Sequence, residues 1–202
     1  LSDNIIAAYQ VPDSSIDPFR LTFANVEHAR QLNDSDFLPH MQVTGFDIVD
    51  GVIAAAICRD QRAGVNVKIR AQQFVNASGA WSKLVAELAG CHDVKLLYSK
   101  GTLIISNTRL TNSVVNRLRP PGDGDILVPG GTVSLLGTTS DSVNNLDNIR
   151  PTVNEVDRIL KEGSAMIPAL QSTRFIRAFS GVRPLLMSSG AEQDGRKASR
   201  GF

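Results

Sequence analysis

The C-terminal stretch concentrates the groups best suited to hold an anion. Between Arg174 and Arg200 lie six cations, Arg174, Arg177, Arg183, Arg196, Lys197 and Arg200, against two acids, Glu192 and Asp194. The planar fork of a guanidinium matches carboxylate and phosphate geometry, so the cluster suits a small anionic ligand. A cationic run is also what a solvated face looks like. Order favours the ligand: Arg183 stands in Phe179-Ser180-Gly181-Val182-Arg183-Pro184-Leu185, where Gly181 and Pro184 fix the backbone, and Arg200 stands in Ala198-Ser199-Arg200-Gly201.

Three further segments could serve such a site. In Val75-Asn76-Ala77-Ser78-Gly79-Ala80-Trp81 a strand ends in small residues before a helix. Gly79 and Ala80 add little bulk, so another group could approach the backbone there, as at the carboxyl end of a nucleotide-binding sheet. The plainer reading is a tight turn with Trp81 as a core anchor. Leu135-Leu136-Gly137-Thr138-Thr139-Ser140 offers three hydroxyls to a phosphate or to a turn before Asp141, and on pattern alone the turn is the reading. Tyr98-Ser99-Lys100-Gly101 puts a lysine at the junction of two strands, where it is a ligand candidate or a solvated cation.

The totals restrict the options. At 202 residues the chain can form one large or two small domains with a sizeable core. It is 42% apolar and 20% charged, ordinary for a globular protein. A net charge of +1 excludes bulk attraction to nucleic acid or anionic lipid, so an anion site must be local. No apolar run is long enough to span a bilayer, and no signal peptide is visible ahead of Leu1. The two cysteines, Cys58 and Cys91, make no disulfide framework, so a cytoplasmic setting is expected. His28, His40 and His92 are scattered, and no metal site is expected.

The elements that must position these groups can be read in outline. Residues 5–11 alternate weakly and read as a strand. Asp17-Pro18 starts a helix to about Leu32, with Phe19, Phe23 and Val26 on one face. Asp50-Gly51 predicts a hairpin between 42–49 and 52–59, and the alternation of Val65, Val67 and Ile69 extends it to a meander. A short strand over 73–75 leads to a helix bearing Trp81, Leu84, Val85 and Leu88, stopped at Gly90. Strands follow at 94–98, 102–106, 126–128 and 132–136, the last two turned on Pro129-Gly130-Gly131. Thr152-Val153-Asn154-Glu155 is a capping box opening an amphipathic helix that runs to Pro168, and a strand runs from Phe175 to about Phe179. The class is mixed α/β or α+β. Neither Gly-x-Gly-x-x-Gly nor Gly-x-x-x-x-Gly-Lys-Ser/Thr occurs, so the usual phosphate cradle is missing.

Taken in order, the segments resemble the flavin-dependent glycerol-3-phosphate dehydrogenases, and among them the catalytic A subunits of the anaerobic enzyme. The resemblance rests on Val11-Pro12-Asp13 through Asp17-Pro18-Phe19-Arg20-Leu21-Thr22, on Phe74 to Trp81, and on Ser99-Lys100-Gly101-Thr102-Leu103-Ile104. It continues through Val115-Asn116-Arg117-Leu118-Arg119-Pro120, Asp123 to Gly130, and Val133 to Ser140, and ends with Ala178 to Leu185 and Ala198 to Gly201.

The resemblance implies a partial FAD-binding domain interleaved with a β-rich antiparallel substrate domain, as in amino-acid-oxidase-like flavoproteins. Residues 1–19 and 93–202 would belong to the substrate domain and residues 20–92, with the meander, to the FAD domain. The chain would be the central slice of the fold, inactive alone and without bound FAD. The reaction implied is oxidation of sn-glycerol 3-phosphate to dihydroxyacetone phosphate, with electrons passing through partner subunits at the cytoplasmic membrane face to a quinone. Arg183 would stabilise the developing alkoxide. Arg200 would bind the substrate phosphate, with Lys100, Thr138 and Thr139 as weaker candidates. Asn76, Gly79, Ala80, Trp81 and Gly181 would face the flavin. Some relatives carry a histidine after the Lys-Gly pair, whereas Ser106-Asn107-Thr108-Arg109 stands here, so no general base is assigned. Two alternatives stay open. One is another amino-acid-oxidase-like flavoprotein with a carboxylate ligand. The other is a non-catalytic anion-binding or subunit-interaction module, docking an acidic partner on its basic strip from Lys100 to Arg119.

Overall fold

Asp50 and Gly51 take positive φ values of 49° and 77°, the left-handed pair that a two-residue hairpin turn needs. They join β1 (Met41–Val49) to β2 (Val52–Asp60), with Val49 opposite Val52 and Gln42 opposite Arg59. β3 (Asn66–Ile69) adds an antiparallel third strand, completing the expected meander. We describe residues 1–33 and 35–187 of a computed structural model. The chain divides into two compact units, one from Pro18–Leu96 and the other from Leu1–Asp17 with the chain from Leu97 onward.

The Pro18–Leu96 unit holds the meander, α1 (Pro18–Asn33) and α2 (Ser82–Leu88), the latter entered through a 3₁₀ turn at Gly79–Trp81. Ala55, Ala56 and Cys58 are buried on β2, and burial pushes the Cys58 thiol pKa up. Phe46 packs edge-to-face on Phe74 at 6.3 Å, and Lys68 pairs with Asp47 across the sheet. The apolar stripe of α1 is real, yet no residue of that helix is buried. Gly90 ends α2 with φ of 78°, a C-terminal stop that favours glycine.

Two expected strands are absent. Residues 5–11 form no ladder, and Ile6 and Tyr9 are exposed; weak alternation does not make a strand without a neighbouring edge to pair with. Residues 73–75 are likewise irregular, with Val75 exposed, because no strand among the described residues accepts their backbone groups.

In the other unit the described residues form a six-stranded sheet in the order β5-β6-β7-β4-β8, with β9 also pairing with β4. These strands are β4 (Leu96–Ser106), β5 (Val115–Asn116), β6 (Ile126–Gly130), β7 (Val133–Gly137), β8 (Asp141–Ser142) and β9 (Phe175–Leu186). The separate strands expected at 94–98 and 102–106 are one continuous strand, because polar Lys100 and small Gly101 sit inside it without breaking it. β9 runs on through the arginine segment as far as Leu186.

α3 (Val153–Met166) covers one face of this sheet. Its capping box is complete: Thr152 Oγ1 accepts from Glu155 N, and the Glu155 carboxylate accepts from Thr152 N. Ile159 and Met166 pack with Ile104, Leu127 and Leu136 of the strands and with Ile167 and Leu170 beyond the helix. The approach is close. A Cβ on Gly163 would stand 2.6 Å from Leu136 Cδ2, so only glycine lets helix and sheet meet there.

Candidate functional site

β4 alternates strictly around its centre. Ile104 faces the core under α3, so Lys100 and Thr102 share that face and Gly101 points to the opposite one. Beside this stretch the neighbouring chain bulges. Leu103 lies opposite Gly137 and Lys100 opposite Asp141, so two residues of β4 confront three, Thr138, Thr139 and Ser140. The hydroxyl run is therefore a β-bulge between β7 and β8 and not a turn. Bulges re-aim side chains, and this one sends the two threonines to different faces.

Thr138 stays with Gly101. Its Oγ1 accepts from Arg183 Nη2 at 2.8 Å, while Arg183 Nη1 donates to the Thr139 carbonyl at 3.4 Å. Arg183 and Thr138 are both half-buried, and the Arg183 guanidinium lies over the Cα of Gly101. A cation is thus held at fixed orientation on the sheet face away from α3, supported by a hydroxyl and a peptide carbonyl.

Thr139 turns the other way and is fully buried. Its Oγ1 accepts from Thr102 N at 3.0 Å and donates to Glu155 Oε1 at 3.4 Å. The same Oε1 accepts from Thr102 Oγ1 at 2.8 Å, and Thr102 Oγ1 lies 2.7 Å from Ser180 Oγ. Glu155 Oε2 accepts from Lys100 Nζ at 2.9 Å and from Thr152 Oγ1 at 2.7 Å. Glu155 is only 3% exposed. Burial alone would raise its pKa, but the bonds from Lys100, Thr152 and Thr102 outweigh that and hold it at about 2. It is a carboxylate at any working pH.

Of the residues singled out in the sequence, Arg183, Lys100, Thr138 and Thr139 therefore converge on one part of the sheet, two on each face. Gly181 is exposed on β9, with no described residue within 4 Å of where a Cβ would stand. In the Pro18–Leu96 unit, Asn76 staples its own turn: Nδ2 donates to Ser82 O at 2.8 Å and Oδ1 accepts from Ser78 Oγ at 2.6 Å. That turn presents Gly79 at φ 58° with open space on its Cβ side, Trp81 half exposed, and Ala80 tucked beneath. Arg200 lies outside the described residues, as do Arg196 and Lys197.

The sequence reading missed Glu155 as a member of this constellation, having placed it only in the capping box. A signal was present: Lys100 and Thr102 are polar at i and i+2 on the buried side of a strand, and buried polar groups require partners. The basic strip also looks different in three dimensions. Lys100 pairs with Glu155, Arg119 with Asp125 at 2.6 Å and Glu162 at 2.9 Å, and Arg117 with Glu162 at 3.1 Å. Lys100, Arg117 and Arg119 thus meet acids of α3 and the β5–β6 loop, while Arg109 donates to the carbonyls of Thr111 and Gly131. Among the described residues no group of three metal-ligating side chains occurs, and no helix is long and apolar enough to cross a membrane.

A β-rich sheet backed by one helix, with a small meander unit in the same chain, is an architecture of flavin-dependent oxidoreductases, and the comparisons agree. The pattern of the FAD-dependent oxidoreductase family (DAO) matches residues 1–202, and the chain belongs to that family. It is 40% identical over 200 residues to the A subunit of the anaerobic glycerol-3-phosphate dehydrogenase from Escherichia coli K12, covering 98% of this chain and 36% of that one. It is 37% identical to the A1 subunit of the Haloferax volcanii enzyme, covering 94% of this chain and 34% of the relative. The chain thus spans about a third of the length of these relatives. Among solved structures it is similar to a glycerol-3-phosphate dehydrogenase from Bacillus halodurans complexed with FAD, at 25% identity and TM-score 0.61, over 74% of this chain and 32% of that one. The fold also matches an L-proline dehydrogenase from P. horikoshii, with TM-score 0.72 at 20% identity, over 90% of this chain and 49% of that one.

Proposed function

We propose that this chain supplies part of a flavin-dependent dehydrogenase that oxidises sn-glycerol 3-phosphate to dihydroxyacetone phosphate. The observation that carries the reading is the fixed, half-buried Arg183 cation on the face of the sheet away from α3, in a chain similar throughout to the A subunit of that enzyme. The residues are compatible with FAD: at Gly79 and at Gly181, both expected near the cofactor, no described residue lies within 4 Å of where a Cβ would stand. Asn76, Gly79, Ala80 and Trp81 would hold the flavin through backbone atoms, Asn76 acting by fixing the turn. When bound, FAD supplies the hydride acceptor.

The residues of the chain do the rest. As the substrate hydroxyl loses its proton, Arg183 would face the growing alkoxide charge from a position already fixed by Thr138 and the Thr139 carbonyl, so little reorganisation is needed. Arg200 would bind the phosphate. Thr138, on the same face as Arg183, could reach the substrate; Lys100 and Thr139, turned toward α3, would support the site from behind. That the relatives are named as one lettered component of their enzyme supports partner subunits that pass electrons onward, to a quinone at the cytoplasmic membrane face in our reading.

The test uses the whole gene product, purified with FAD and mixed anaerobically with sn-glycerol 3-phosphate, glycine or L-proline. Bleaching of the flavin by the phosphate ester alone is expected. Bleaching by an amino acid and not by the ester would replace this reading with an amino-acid oxidase.

A further inference from the structure

Glu155 is a buried charge that no part of the proposed reaction uses directly. It sits at the third position of α3, yet most of its bonds lead into the sheet. One oxygen takes the Lys100 ammonium and the Thr152 cap, and the other takes the hydroxyls of Thr102 and Thr139. These two threonines are joined by a second bond, Thr102 N to Thr139 Oγ1. Thr139 is part of the bulge, and the bulge supplies two groups that hold Arg183: the Thr138 hydroxyl and the Thr139 carbonyl. A route of direct contacts therefore runs from Glu155 on one side of the sheet to Arg183 on the other.

We infer that Glu155 is a positioning residue for Arg183, fixing from behind the sheet the Thr138-Thr139 bulge that aims the guanidinium. The inference rests on the proposed function for its kinetic consequence and not for its structural one. A capping residue alone would need only Thr152, and an ion-pair partner alone would need only Lys100. The bonds to Thr102 and Thr139 serve neither purpose. They fix an irregular point of the ladder, where backbone geometry is least determined by pairing.

Glu155→Gln tests this, because an amide cannot accept on both arms as the carboxylate does. With its oxygen toward Lys100 it presents NH2 to the two threonines; reversed, it presents NH2 to an ammonium. Thr139→Val removes both side-chain bonds that tie the bulge to Glu155 and Thr102 while leaving the Glu155–Lys100 pair whole, and covers the case in which Glu155→Gln does not fold. In the whole gene product, each variant should lower kcat about tenfold, leave KM for sn-glycerol 3-phosphate within about twofold, and cause no further loss of kcat in an Arg183→Ala background. Amide hydrogen exchange across residues 137–141 should rise about tenfold, with α3 beyond its first turn unchanged. The same fractional loss in both backgrounds, an unchanged kcat, or unaltered exchange at 137–141 would each overturn the inference. If the wild-type protein does not oxidise sn-glycerol 3-phosphate, the proposed function fails visibly by itself, and the exchange measurement, which needs no turnover, decides the role of Glu155.

Discussion

Gly101 lies directly beneath the Arg183 guanidinium, so close that a Cβ on it would overlap the arginine and stand 2.6 Å from Thr138 Oγ1. The glycine here is required by space and not by φ. Gly101→Ala should push the guanidinium off its seat while the strand persists. We expect kcat to fall by about ten- to a hundredfold, since a displacement on the order of 1 Å costs that much at a reacting centre. The melting temperature should move little, because Arg183 is only half-buried and can swing outward. Steady-state kinetics beside a thermal melt check this; unchanged kcat would show that the seat does not matter.

Two arginines should separate kinetically. Arg183→Ala is expected to lower kcat on the order of a hundredfold, as loss of a preorganised charge does. Arg200→Ala should instead raise KM for sn-glycerol 3-phosphate roughly ten- to a hundredfold, from loss of a charged hydrogen bond of about 1.5–3 kcal/mol. Equal effects on both constants in both variants would contradict the division of roles.

Acid should loosen the fold through Glu155. Its folded pKa of about 2 lies below the ordinary 4.5, so its stabilisation is complete above 4.5 and drains away as pH falls toward about 2. The amount at stake is on the order of 3 kcal/mol. Glu162, whose pKa is lowered chiefly by the hydrogen bond from Arg119, adds to the loss in the same direction. Urea midpoints followed through this pH range should fall more steeply in the wild type than in Glu155→Gln. Parallel slopes would mean that the carboxylate is not held as described.

Gly124→Ala should destabilise without touching the site. Gly124 has φ of 62°, and a Cβ there would stand 2.6 Å from the Ile159 carbonyl and 3.0 Å from Gly163 N, both backbone atoms of α3. The left-handed conformation alone costs about 1–2 kcal/mol for a residue with a side chain, and backbone cannot step aside as a rotamer can. A lower denaturation midpoint with unchanged KM is expected. A wild-type midpoint would show that the loop does not press on the helix.

What the sequence made legible followed local chemistry. Asp50-Gly51 gave the hairpin, Thr152 and Glu155 the start of α3, Asp17-Pro18 the start of α1, and Gly90 the end of α2, each because a few adjacent residues suffice for the geometry. The ordered motifs around Trp81, Lys100 and Arg183 carried the family. What stayed hidden depended on distant neighbours. Residues 5–11 and 73–75 had strand-like composition but no edge to pair with. The Thr138-Thr139-Ser140 run looked like a turn because a bulge is defined by its partner strand. Glu155 looked like a capping residue and no more, because only the folded sheet brings Lys100 and Thr102 to it.

The two-against-three offset beside Gly101 also sets a rule for insertions and deletions. By bringing Asp141 opposite Lys100, it turns that aspartate toward α3, where Arg158 Nη2 meets it at 2.5 Å. Remove any one residue between Gly137 and Asp141 and the ladder closes in simple alternation: Asp141 stays opposite Lys100, while the residue after Gly137 turns to the α3 side with Thr102 and the next one turns to the side of Gly101. With Ser140 removed, Thr138 would move to the α3 side, away from Arg183, and Thr139 to the other side, away from Glu155. Homologous chains that keep this site should therefore vary the identities of these three residues more readily than their number.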